Sequence, residues 1–117
     1  MKANELMIGD WVKFPTSDLF HKVYAVQGKS VKIDKQYWHK ADNLEPVPLN
    51  ADKVDQIHCH PKMAIFWDDR RSKETGENWY ELRICTDGDT ALNMEIRYVH
   101  ELQHALRLLG IEKEIEL

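Results

Sequence analysis

The chain has 117 residues, is 43% hydrophobic and 31% charged, and carries a formal net charge of -4. This is enough chain for one ordinary domain or two very small subdomains, burying roughly two thirds of the unfolded surface, and it excludes disorder as the default. The acidic balance argues against an all-over grip on nucleic acid and against a polybasic membrane surface.

No apolar run approaches the roughly 18 residues of a transmembrane helix. The opening, MKANELMIGDWVKF, has no apolar core of signal-peptide length. A cytoplasmic location and no membrane partner are therefore expected. Cys59 and Cys85 lack C-x-x-C spacing and read as free, buried thiols.

Residues 1–48 read as β structure. Trp11–Phe14, His21–Val26, Ser30–Asp34 and a run opening at Tyr37-Trp38 are short, with turn residues between them. That spacing predicts a small β-barrel-like, Src-homology-3-like half. The prolines of Leu44-Glu45-Pro46-Val47-Pro48-Leu49 predict an extended hinge or connection. Asn50 suits a helix N-cap, with Val54 and Ile57 giving a thin apolar stripe over about 51–57.

Met63–Trp67 reads as an interior strand, and Asp68–Asn78 as a polar loop. Trp79–Cys85 and Ala91–Tyr98 alternate around an Asp87-Gly88 turn. These three strands predict an antiparallel meander. A final helix gathers Val99, Leu102, Leu106 and Leu109 in one stripe and ends at Gly110. The predicted fold class is thus α+β. A barrel-like subdomain over 1–48 is followed by a helix, a three-stranded meander and a C-terminal helix over 49–117.

The final helix contains His100-Glu101-Leu102-Gln103-His104, an H-E-x-x-H match. On a helix this spacing sets two zinc ligands one turn apart, with a glutamate base beside them. Against a zinc hydrolase, helical phase puts His100 and His104 about 150° from the apolar stripe, on a face expected to look into water. The metzincin extension wants glycine at position 107 and histidine at 110, where Arg107 and Gly110 stand. The glutamates after Gly110, Glu112, Glu114 and Glu116, are too near in sequence to supply the usual distant third ligand. His58 and His60 of His58-Cys59-His60 are the remaining candidate donors, although that stretch also reads as a helix end passing into a loop. The expectation is no cofactor, no metal and no catalytic residue, with zinc on His100 and His104, and Glu101 as base, kept as the alternative.

Asp68-Asp69 is a possible carboxylate pair, but Arg70 and Arg71 beside it favour solvated or salt-bridged acids. In the first half, Trp11, Phe14, Tyr24, Tyr37 and Trp38 are interleaved with Lys13, Lys22, Lys32, Lys35 and Lys40. Small barrels use aromatics for their cores, and they also use them as stacking platforms with a basic rim. Trp11, Lys13, Tyr37 and Trp38 are the candidate binding surface.

Three stretches carry a family resemblance: MKANELMIGDWV at the start, LEPVPL in the middle and YVHELQ near the end. They resemble a family of short uncharacterised proteins from Bacteroides-type gut bacteria and their phages, whose usual forms are MKxNELRIGNxV, LEPIPLT and YVHELQN. The resemblance implies no catalytic or binding residues. It has asparagine where this chain has His104, which makes the H-E-x-x-H match a departure at one position, and it often has asparagine in place of Asp10. The resulting expectation is a non-enzymatic accessory or interaction protein, phage or mobile-element related, with an unknown protein partner. Nucleic-acid binding through the first half is the third reading.

Overall fold

In a computed structural model the described residues are 1–34, 37–57, 63–86, 89–111 and 114–117, without the side chains of 85, 86 and 89–92. His58-Cys59-His60, Lys35, Glu112 and the Asp87-Gly88 turn lie outside them, as does the side chain of Cys85.

The chain is α+β, with two antiparallel sheets and short helices. β1 (Trp11–Lys13), β2 (Phe20–Gln27), β3 (Ser30–Ile33), β4 (Tyr37–Lys40) and β5 (Glu45–Pro46) form a five-stranded sheet in the order β4-β3-β2-β1-β5. A 3-10 turn, Ala41–Asn43, separates β4 from β5. Alternation does the sorting: Val12, Val23, Val31 and Ile33 are buried on one face, while their neighbours along each strand point the other way. Gly28, at φ +58°, opens the two-residue turn between β2 and β3, a conformation that glycine adopts without strain.

The second sheet is the predicted meander: β6 (Met63–Trp67), β7 (Tyr80–Thr86) and β8 (Asp89–Ile96) in the order β6-β7-β8. The last helix, α3 (Val99–Leu108), covers it. Leu82, Ile96, Val99, Leu102 and Leu106 lie in one buried cluster. Ile111 N–H donates to Leu106 O and Gly110 N–H to Arg107 O, with Gly110 at φ +70°. These bonds are a Schellman ending.

Three expectations are corrected. The helix predicted over about 51–57 is shorter: α1 spans Ala51–Val54, capped by the Asn50 side chain, and residues 55–57 turn. The polar loop over 68–78 contains a helix, α2 (Asp69–Thr75). Asp68 accepts from Arg71 N–H at 3.0 Å, Asp69 pairs with Lys73, Arg70 pairs with Glu74, and Gly76 ends the helix at φ +75°. Asp68 and Asp69 are thus an N-cap and one half of an i,i+4 pair. The predicted hinge Leu44–Leu49 is a seam. Val99 N–H donates to Val47 O at 2.8 Å and Leu49 N–H to Arg97 O at 2.9 Å, and Val47 and Leu49 are fully buried.

Two separate apolar clusters result. One is drawn from residues 3–44, the other from residues 47–115.

Candidate functional site

The H-E-x-x-H helix sits between the two clusters, so its polar arc does not face water as expected. His100 is only 7% exposed, and His104 is 30% exposed in its side chain. The apolar stripe takes the three-stranded sheet. Gln103, Arg107, His100 and His104 fall on the adjoining arc, and the turn Gly9-Asp10-Trp11 packs there.

Asp10 is the centre of this contact and is completely buried. Its Oδ1 accepts from Arg107 Nη1 at 2.7 Å. Its Oδ2 accepts from His104 Nε2 at 2.5 Å and from the Met7 backbone N–H at 2.8 Å. A buried carboxylate is tolerable only when so supplied with donors. Beside it the Gln103 amide pairs with backbone in both directions, Nε2 donating to Gly9 O at 2.9 Å and Oε1 accepting from Trp11 N–H at 3.0 Å. The Trp11 indole N–H donates to Ile115 O at 2.8 Å. Gly9 holds φ +92°, a conformation that strains any other residue, and a Cβ there would also crowd Arg107 Nη2 at 3.1 Å.

Glu101 lines the same cleft as His100 and His104 but is tied to the start of its own helix. Its Oε1 accepts from Arg97 N–H at 3.0 Å and Tyr98 N–H at 3.1 Å. That is the glutamate half of a capping box, satisfying amides at the helix start. One of its two carboxylate oxygens is thereby committed to the cap. His100 stacks against Tyr98, and its Nδ1 is buried without a partner among the described residues. Burial pushes its imidazole below the ordinary pKa, against the pull of Glu101 and Asp10. His104 gives its Nε2 to Asp10. A cleft of about 370 Å³ opens beside them, lined in part by Glu5, Arg97, Tyr98, His100, Glu101 and His104. Among the described residues no group of three or more His, Cys, Asp or Glu side chains is placed to hold a metal ion. His58 and His60 fall outside those residues.

The aromatic residues of the first half divide three ways. Phe14 packs into the small cluster, edge-on to His21 and His39. Trp11 is half-buried against the larger cluster, under the Lys22 ammonium. Lys13 pairs with Glu45 at 3.7 Å. Neither Trp11 nor Lys13 therefore joins an open surface with Trp38. Tyr37 is exposed but stands opposite Ile33, on the other side of β4 from Trp38.

Trp38 stands opposite Lys32, on the outer face of the five-stranded sheet, and is 47% exposed. Tyr24, at an irregularity in β2, is 46% exposed, and Lys32 Nζ lies 5.7 Å over its ring. Lys40 pairs with Ser30 in the same outward register, and Lys29 is at the hairpin tip. None of Lys29, Lys32 and Lys40 enters an ion pair among the described residues, whereas Lys13, Lys22 and Lys73 do. Residues 11–40 hold six lysines and two aspartates, a local charge of +4 that leaves -8 on the rest of the chain. Strand register assembles this patch. Sequence alone interleaves the residue types but does not say which share a face.

The chain matches no protein-family profile, no curated protein and no solved structure.

Proposed function

We propose that this protein is a non-enzymatic interaction module that holds its partner on the outer face of the five-stranded sheet. The observation that carries the reading is the lysine-rimmed pair Trp38 and Tyr24 on a stretch, residues 11–40, opposite in charge to the rest of the chain. Large rings left half in water, beside ammonium groups with no counter-charge among the described residues, are a feature of binding faces. A strand order with β5 beside β1, β4 at the far edge and a 3-10 turn between β4 and β5 is consistent with a Src-homology-3-like curl. Such a curl would present this face on a stiff support. The H-E-x-x-H helix serves as the structural joint at the β1 side of this sheet.

The test is amide and indole chemical-shift mapping of the whole chain. The probes are an oligothymidylate, a polyglutamate peptide and a proline-rich peptide. Shifts confined to β2–β4 and the Trp38 indole, with at least one probe, are expected. Shifts centred instead on the cleft beside His100, or no shifts with any probe, would overturn the proposal.

A further inference from the structure

We infer that the partner on this face is a single-stranded nucleic acid, held by stacking on Trp38 and Tyr24 and by phosphate contacts to Lys29, Lys32 and Lys40. The inference rests on the interaction-module reading and names its ligand. Trp38 and Tyr24 stand on strands separated by β3, so about 10 Å lies between their backbones. Lys32 stands between them, over one ring and opposite the other. Two flat rings with a cation between suit two bases joined by phosphate. Every base has a π face, so such a platform is tolerant of sequence.

A second feature lies beside Tyr24. A cleft of about 440 Å³, lined by Ile8, Gly9, Lys22, Val23, Tyr24 and Asp34, is mostly apolar with one carboxylate and one ammonium at its edge. A flat heterocycle with polar edges fits that lining. An acidic peptide would satisfy the lysines but leave the Trp38 ring and this cleft unfilled. A duplex is a poor fit, because entering a major groove takes a helix or a two-stranded ribbon. Among the described residues α3 is buried between the clusters, and α1 and α2 are short and carry acids in their first turns. The charge of -8 outside residues 11–40 disfavours phosphate contacts with the rest of the chain.

The experiment is fluorescence anisotropy of a labelled short oligothymidylate with the intact chain. Three phosphate contacts on a single strand predict a log–log salt slope of about -2, from roughly -0.7 per contact. Trp38→Ala is expected to weaken binding about tenfold, while Trp38→Phe, which keeps a ring, restores most of it. Lys32→Glu should lower affinity and flatten the slope by about 0.7 or more. Phe66→Ala, on the outer face of the other sheet, should change neither. Circular dichroism of each variant separates lost binding from lost fold. Binding that ignores Trp38→Ala, or an equally strong duplex signal, overturns the inference. Tighter binding of polyglutamate mapped to the same face overturns it too, but leaves the interaction face standing. Silence from every probe overturns both.

Discussion

At the residue scale, His100 is the informative side chain, because it is the half of the H-E-x-x-H match left without a hydrogen-bond partner among the described residues. Its Nδ1 is buried, and its imidazole is held neutral by desolvation. A histidine whose folded pKa is depressed contributes stability that is fully present above the unfolded value of about 6.5. As pH falls below that value, the unfolded chain takes up the proton first. The contribution is then lost progressively down to the folded pKa. Replacing the ring by an apolar one of similar shape removes both the titration and the orphaned nitrogen. His100→Phe should therefore be as stable as the wild type or more so, and the gap should widen as pH drops from about 7 to about 5. Urea unfolding of both proteins across that range reads it directly, since groups common to both cancel in the difference. A gap that stays constant with pH would show that His100 titrates alike in the folded and unfolded chains.

At the element scale, Glu101 separates a base from a cap. The carboxylate accepts from two backbone amides at the start of α3. Glu101→Ala should cost about 1 kcal/mol, while Glu101→Gln, which keeps an acceptor oxygen, should stay within about 0.5 kcal/mol. Thermal melts of the two variants check this. Elements bounded by their own letters are legible in the sequence. The alternation of β2, β3 and β7, the Asn50 cap and the Gly110 ending all follow from local chemistry. The helix α2 is spelled out as well, although its stretch reads as a loop. Asp68, the i,i+4 pairs Asp69–Lys73 and Arg70–Glu74, and Gly76 define a capped helix, but polarity all round its surface hides the period that marks an amphipathic one. The buried polar arc of α3 is not legible. Helical phase gives the angle between His104 and Leu102, but not that Asp10, ninety-four positions away, comes to meet it. For the same reason, interleaving along the chain groups Trp11 and Lys13 with Trp38. Only tertiary contacts give those two to Ile115 and Glu45.

At the scale of the whole molecule, the N-terminal turn, the Leu44–Leu49 stretch and the start of the last helix meet in one place. Gly9-Asp10-Trp11 docks on Gln103, His104 and Arg107, and Val47 and Leu49 bond across to Val99 and Arg97. They form a joint between two cores. The smaller core has eight buried residues, Ala3 and Ala41 among them, and a cluster that small is marginal alone. Its stability is therefore expected to depend on the joint. Asp10→Asn keeps the shape but gives up charge-assisted bonds to His104 and Arg107, a loss of about 1.5 kcal/mol. Asp10→Ala leaves the Arg107 guanidinium and the His104 ring facing an empty site, with a larger loss of about 3 kcal/mol. The loss should not be spread evenly. In the wild type, the slowest-exchanging amides of β2–β3 and of β7 with α3 should open together, as one cooperative unit. In Asp10→Asn combined with Gln103→Ala, the β2–β3 amides should exchange through a lower-energy opening, while β7 and α3 keep most of their protection. Native-state hydrogen exchange resolves the two sets. If both sets lose protection equally, the cores are held together by something other than this clasp. If neither does, the first half stands without it, and the face bearing Trp38 and Tyr24 does not depend on α3 for its support.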